Sequence, residues 1–310
     1  MQRLIGALLF YLRFLPSFTA PPFHVRKRRW RAIPSLEGQT WLITGASDGI
    51  GRALGRLALE HGAHVVGVAR NRAALDDVPT TPEQAARFTA LSYDLSSMSA
   101  VESLSHALTQ SKQLDVLVNN VGVMLHEPIA TSEGFEASFA TNLLGHYLLT
   151  RTLRDKHRLA TGARVINMSS GGMYNVPLLS DRLDTLDDHD GLMAYALHKR
   201  AQVILTDYWR EHDAGRHYYV MHPGWVNTQG VKTSLPRFHA VLGRILRTPA
   251  QGADTALWLG ATTPEQSEPG IWFDRALRNA HIYSMTKRLS ASGAHLVSLL
   301  DSKLASLSDR

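Results

Sequence analysis

Residues 44–51 read T-G-A-S-D-G-I-G. A short apolar run, T-W-L-I-T at 40–44, leads into them, and G-I-G-R-A-L-G-R-L-A-L-E-H-G at 49–62 leads away with helical spacing, closed by Gly62 as a C-cap. Strand, glycine-rich turn and helix together make a phosphate-binding arrangement. Gly45 permits the tight turn, Gly49 lets backbone approach a pyrophosphate, and Gly51 lets the helix pack close to the strand while its N-terminus faces the phosphates. The spacing is G-x-x-x-G-x-G, not the commoner G-x-G-x-x-G. The turn residues Gly45, Ser47, Asp48, Gly49, Ile50 and Gly51 are expected to line a dinucleotide cofactor.

Outward from this turn the unit repeats. A-H-V-V-G-V-A (63–69), A-L-S-Y-D-L (90–95), L-D-V-L-V-N-N-V-G (114–122), A-R-V-I-N-M-S-S (163–170), H-Y-Y-V-M-H-P-G (217–224) and G-I-W-F-D (270–274) read as strands. Helical patterns stand between them, including V-E-S-L-S-H-A-L (101–108), a long one around 135–155, and one holding Tyr195 and Lys199. Short apolar strands alternating with helices predict an α/β, doubly wound parallel sheet, a Rossmann fold in one domain. The expected division is an N-terminal extension over 1–35, the Rossmann-type domain over 36–280 and a helical tail over 281–310.

The net charge of +6 sits in that extension. Residues 1–35 carry seven basic and no acidic side chains, leaving the rest of the chain at −1. A nucleic-acid enzyme is expected to carry a basic groove in its body, so no nucleic-acid partner is expected. The segment opens L-I-G-A-L-L-F-Y-L-R-F-L (4–15), too short to span a bilayer, which takes about 20 residues. Prolines 16, 21, 22 and 34 make residues 16–35 a poor helix and a linker. An apolar helix followed by R-K-R-R-W-R (26–31) suits residues 1–31 lying in an anionic membrane surface. The competing reading is an extra helix packed on the protein's own body. The absence of cysteine removes disulfides, thiolate metal sites and a cysteine nucleophile, and fits a reducing compartment, hence a cytoplasmic location. No metal site is expected, because neither H-E-x-x-H nor calcium-loop spacing occurs.

From about 38 to 275 the chain resembles the short-chain dehydrogenase/reductase family. Besides the glycine turn, the resemblance rests on Asp94 and Leu95 in Y-D-L, Asn120 in N-N-V-G (119–122), Asn142 in T-N-L-L-G, Ser170 in N-M-S-S, Tyr195 and Lys199 in Y-A-L-H-K, and Pro223, Gly224, Val226 and Thr228 in P-G-W-V-N-T. Within the family, Q-G-A-D-T-A-L-W-L (251–259) and M-H-P-G-W-V-N-T-Q-G-V (221–231) look most like its "member 12" type. The resemblance implies interconversion of a carbonyl and an alcohol on a small molecule, with Asn142, Ser170, Tyr195 and Lys199 catalytic. Asp94 would contact adenine, and Pro223, Gly224, Val226 and Thr228 would line the nicotinamide. Asn142 would hold a water that links Lys199 to solvent.

The chemistry explains those residue types. Charge that builds on a carbonyl oxygen must be met by a donor and then a proton. A free phenol, with a pKa of about 10, donates well but is rarely the phenolate the reverse reaction needs. Lowering it by about three units takes roughly 4 kcal/mol, which a lysine one turn away and a cationic cofactor supply in a partly dry site. A family serine just before the lysine is His198 here, read as facing the neighbouring helix.

The cofactor is expected to be NADP rather than NAD. At the end of the second strand, where NAD enzymes of this kind place an acid, stands Ala69 followed by Arg70. Arg52, after Gly51, is read as a solvated helix residue that assists at most. Residues 171–194, with their acids on a solvated loop face, and 229–248, with Trp225, would wall a lipophilic carbonyl pocket. The rival reading is a nucleotide-binding scaffold with this fold and little turnover.

Overall fold

The computed structural model describes residues 13–110 and 112–308. Most of the apolar stretch 4–15, and with it the first half of the membrane reading, lies outside them.

Eight strands form one sheet in the order β3-β2-β1-β4-β5-β6-β7-β8. They are β1 (Thr40–Thr44), β2 (His64–Ala69), β3 (Phe88–Ser92), β4 (Leu114–Asn119), β5 (Leu159–Met168), β6 (His217–Met221), β7 (Ile271–Phe273) and β8 (Ala276–Arg278). Every pairing is parallel except β7 with β8. The helices used below are α1 (Ala20–Lys27), α2 (Gly49–Glu60), α3 (Met98–Ala107), α4 (Gly145–Asp155), α5 (Gly191–His212), α6 (Gln229–Ser234), α7 (Pro236–Leu242), α8 (Pro249–Thr262) and α9 (Gly293–Ser308). One buried cluster joins the sheet to α3, α4, α5 and α9, and a second joins its other face to α2 and α8. The doubly wound fold is therefore as read from the sequence. The chain order reverses between β1 and β4, and open α/β sheets bind ligands in the crevice beyond the carboxyl ends of such a pair.

Three local expectations need correction. The pattern over 135–155 is not one α-helix: a short turn of helix (Ala137–Phe139) passes into a π-helical segment, Ala140–Leu144, before α4 begins. β8 went unread because the β7–β8 turn is made by Asp274 and Arg275, both at positive φ (49° and 55°), where asparagine and glycine usually announce a hairpin. Residues 16–35 are no linker. Residues 13–18 are helical, and α1 follows with prolines in its first turn, where the missing N–H costs nothing. Phe14, Phe18 and Phe23 are buried, and Phe14 and Phe18 stack on Tyr174 in a third cluster.

The described part of the extension is thus packed on the body. The Phe18 carbonyl accepts from the Trp225 N–H (2.9 Å) and from Arg247 Nε (3.0 Å), and the Ala20 N–H donates to the Ile245 carbonyl. Arg247 is buried and makes two contacts to the Asp274 carboxylate, at 2.6 and 2.9 Å, which Arg26 also meets at 2.6 Å. Of the basic run, Arg26 is spent on that pair. Trp30 packs between the Phe23 ring and the Arg275 guanidinium. Among the described residues, no helix is long and apolar enough to cross a membrane.

Candidate active site

The glycine turn sits at the β1/β4 crevice, held by its neighbours. Gly45 and Gly49 have positive φ, 67° and 52°. A Cβ on Gly51 would stand 2.1 Å from the Gly45 carbonyl oxygen, so only glycine lets α2 approach β1 this closely. The Asn120 amide donates to the Thr44 carbonyl (2.8 Å) and the Gly45 carbonyl (3.3 Å). The Thr44 hydroxyl in turn accepts from the N–H groups of Asn120 (2.9 Å) and Val121 (3.1 Å). Asp48 is the N-cap residue of α2 but makes no side-chain cap, and the first turn of α2 holds no acidic residue. Its N–H groups are left to an anion. Arg52 is half-buried and not simply solvated: two of its nitrogens clasp the Ser47 carbonyl, Nε at 2.7 Å.

Of the other residues expected at the cofactor, Thr228 reaches this turn: it packs against Gly49, and its hydroxyl caps α6 through the Val231 N–H (3.2 Å). Pro223, Val226 and Ile50 pack against Gly252 of α8, and Gly224 takes φ 79° where Arg247 and the Phe18 carbonyl leave no room for a side chain. Asp94 binds the N–H and hydroxyl of Ser96 (2.9 and 2.8 Å), shaping the turn that carries buried Leu95. Arg70 is exposed beyond β2, and its guanidinium pairs with no carboxylate among the described residues. These residues fit a dinucleotide.

Beyond β5 lie Ser170 and, from α5, Tyr195 and Lys199. Burial raises the pKa of the Tyr195 phenol, and the neighbouring Ser170 hydroxyl opposes the rise. Lys199 is buried, and burial lowers its ammonium to about 7. Its Nζ lies 5.6 Å from the centre of the Tyr195 ring and donates to the Met168 carbonyl (2.7 Å) and to Gln202 Oε1 (3.3 Å). The Ser169 hydroxyl fixes α5 to β5 through the Lys199 carbonyl (2.8 Å).

Asn142 lies in the π-helical segment, fully buried. Its side chain pairs with the backbone of Val123, accepting from the N–H and donating to the carbonyl, each at 2.8 Å. Two further partners hold this segment: His198, read from the sequence as facing the neighbouring helix, and Gln202, which that reading missed. His198 is buried at the site, and its Nδ1 lies 3.4 Å from the Asn142 amide nitrogen. Gln202, one helical turn after Lys199, donates to the Asn142 backbone carbonyl at 2.8 Å. The i,i+3 spacing from Lys199 was the available signal for Gln202; a glutamine on a helix gives no other.

Of the two segments expected to wall a pocket, one is not a loose loop. In 171–194, Leu178 and Leu183 are buried. Asp184 pairs with Lys303 of α9 (2.5 Å) and accepts the Glu136 N–H, so this acid is a lock and not a solvated charge. Buried Arg200 holds the same segment through the carbonyls of Val176 and Met173. On the other side, α6 meets the 124–126 loop: the Ser234 hydroxyl reaches the Met124 carbonyl, and His126 reaches the Ser234 carbonyl.

Residues 39–180 match the family model for short chain dehydrogenases. Over 275 residues the chain is 36% identical to the bovine (Bos taurus) protein "Dehydrogenase/reductase SDR family member 12", covering 86% of this chain and 85% of that one. The chain belongs to the short-chain dehydrogenase/reductase family. Members of the family are NAD(P)-binding oxidoreductases acting on alcohol and carbonyl groups, and this chain is one. It is also 28% identical over 273 residues to human (Homo sapiens) "Retinol dehydrogenase 14", covering 80% and 81% of the two chains. Among solved structures, an uncharacterised Mycobacterium paratuberculosis protein shares the fold, with a TM-score of 0.67 at 22% identity over 87% of this chain and 95% of that one.

Proposed function

We propose that this short-chain dehydrogenase/reductase uses NADP(H) to interconvert a carbonyl and an alcohol on a lipophilic small molecule, with Tyr195 as the general acid and base. The observation that supports it most is the buried Lys199 ammonium 5.6 Å from the centre of the Tyr195 ring, with the Ser170 hydroxyl as the phenol's neighbour, at the crevice that the glycine turn opens. The nicotinamide, when bound, supplies the two-electron chemistry at the substrate carbon. Tyr195 gives the substrate oxygen its proton in reduction and takes it back in oxidation. Ser170 donates to that same oxygen as charge develops. Lys199 has three donors, two of them directed inward, leaving one for a cofactor ribose. Its charge favours the phenolate against the burial that opposes it.

Arg70 beyond Ala69 suits a 2′-phosphate, while Gly45, Ser47, Asp48, Gly49, Ile50 and Gly51 hold the pyrophosphate. Asp94, Leu95, Asn120, Pro223, Gly224, Val226 and Thr228 complete the cofactor cleft. Lipophilic substrates are supported by Trp225 and by the exposed apolar side chains of Leu192, Met193 and Val241 on α5 and α7. The testing experiment is Tyr195→Phe on a panel of aldehydes, ketones and alcohols. Turnover is expected to fall at least ~100-fold, the scale of losing a general acid, with NADP affinity within a few-fold of the parent. Full activity in Tyr195→Phe would refute the assignment.

A further inference from the structure

The expected route from Lys199 to solvent runs through a water on the Asn142 carbonyl. In this chain that route meets a side chain. Gln202 is buried, and its amide takes up both hydrogen-bonding positions such a water would use. Oε1 accepts from Lys199 Nζ at 3.3 Å and Nε2 donates to the Asn142 carbonyl at 2.8 Å. The opposite amide orientation would set NH₂ against an ammonium and oxygen against a carbonyl, so the chemistry admits only this one.

The difference from water is chemical. A water accepts one proton while releasing another; a primary amide does not release its N–H proton near neutral pH. Two buried histidines stand near this point. Burial lowers the pKa of His146, on α4, to about 3, its Nε2 lies against the Thr44 hydroxyl (3.3 Å), and its Nδ1 has no partner among the described residues. His198 is lowered to about 4, mainly by burial, and is committed to the Leu183 carbonyl and Asn142. Tyr195 is the third titratable group near Lys199. Only the cofactor side and the substrate mouth then remain for proton exchange.

We propose that Gln202 is a positioning residue that replaces the relay water between Lys199 and Asn142, holding the Lys199 ammonium and closing the inner proton route. The inference rests on the proposed roles of Tyr195 and Lys199. Its first consequence is nevertheless visible without turnover, because an ammonium that loses an acceptor is less stable as a cation.

The experiment follows the Lys199 side-chain carbon by NMR through a pH titration of the cofactor-free, ¹³C-lysine-labelled full chain, with Lys199→Arg identifying the signal. Gln202→Met keeps the length and loses the amide, and its Lys199 pKa is expected to fall by about one unit, the scale of one hydrogen bond to a charged group. Gln202→Ala leaves room for a water and is expected to return the titration to near that of the parent. In alcohol oxidation, the rise of rate with pH is expected about one unit higher in Gln202→Met than in the parent. Should the methionine variant not fold, Gln202→Asn, too short to bridge both partners, is expected to show the same fall. An unmoved Lys199 titration overturns the inference, as does a rate profile that stays put while Tyr195→Phe is inactive. Full activity in Tyr195→Phe would instead overturn the assignment of the acid, and the lysine titration would still judge Gln202.

Discussion

The His198 ring is fixed by Leu183: Nε2 lies 2.8 Å from that residue's carbonyl, so Nε2 carries the proton and Nδ1 keeps a lone pair toward the Asn142 amide, 3.4 Å away. The histidine that replaces a serine before Lys199 is therefore a neutral, buried brace. Charging it would break one or the other contact.

That brace gives acid sensitivity a definite sign. His198 and His146 are lowered by burial to about 4 and about 3 from an ordinary 6.5, so their stabilising contribution is complete above pH 6.5 and is lost as pH falls toward those values. At 1.36 kcal/mol per unit the amounts are about 3 and 5 kcal/mol, against a total stability of roughly 5–15 kcal/mol. Asp207, raised by burial to about 6, works the other way over the same window and offsets one histidine. Lys199, lowered to about 7, takes up its proton in the folded state at the top of this range and adds a further loss of less than about 1 kcal/mol, complete by about pH 6. Urea melts between pH 7.5 and 4.5 are expected to show falling stability, with a shallower slope in His198→Gln. An equal slope in that variant would mean that His198 titrates normally.

Arg70 is exposed and unpaired with any carboxylate among the described residues, so removing it disturbs no fold contact of its guanidinium. Arg70→Ala is expected to weaken NADP by about 1.5–3 kcal/mol, the scale of a charge-assisted contact, and to leave NAD nearly unchanged. Fluorescence titration with both cofactors decides the matter. Equal weakening would assign the 2′-phosphate elsewhere.

The fold was readable because its strands and glycine turn are local patterns, and Ser170, Tyr195 and Lys199 fall together because β5 and α5 set them there. What was not readable is long-range or irregular. No periodicity announces that the backbone loosens into a π-helical segment at Asn142, nor that a Phe-Asp-Arg-Ala stretch makes a hairpin. The prolines at 16, 21 and 22 suggested a linker, but two of them occupy the opening turn of α1, and Phe14 and Phe18 found a partner surface more than 150 residues away at Tyr174.

Phe18 is 3% exposed and touches Tyr174, His222, Trp225 and Phe273. Phe18→Ala is expected to cost about 3–5 kcal/mol, as for other buried aromatic truncations. Deleting residues 1–31 is expected to lower the melting temperature whether or not anionic vesicles are present. A deletion that releases the protein from such vesicles in flotation, with an unchanged melt, would favour the membrane reading over the packed one.

Arg247 and Asp274 are both buried, with Arg26 as the carboxylate's second partner. Arg247→Met is expected to cost about 3–5 kcal/mol, because it leaves a buried carboxylate undercompensated. Asp274→Leu added to it is expected to restore part of that loss. A double variant no more stable than Arg247→Met, measured by chemical denaturation, would show that the guanidinium acts through the Phe18, Ser17 and Pro223 carbonyls it also holds.

The Phe18–Arg247 contact closes a span of 229 residues. During synthesis, at about 5–20 residues per second, Phe18 would leave the ribosome roughly 10–50 s before the arginine that receives it. For that interval three phenylalanines lack the surface that later covers them, while the glycine turn and β1–β5 are already complete enough to pair. The cofactor half of the enzyme can form early, whereas the rim around Trp225 and Gly224 must wait for nearly the whole chain. Premature termination between β5 and about residue 247 would leave a sheet with its nucleotide turn in place and a sticky aromatic segment at its head, a species suited to chaperone capture or aggregation and not to catalysis.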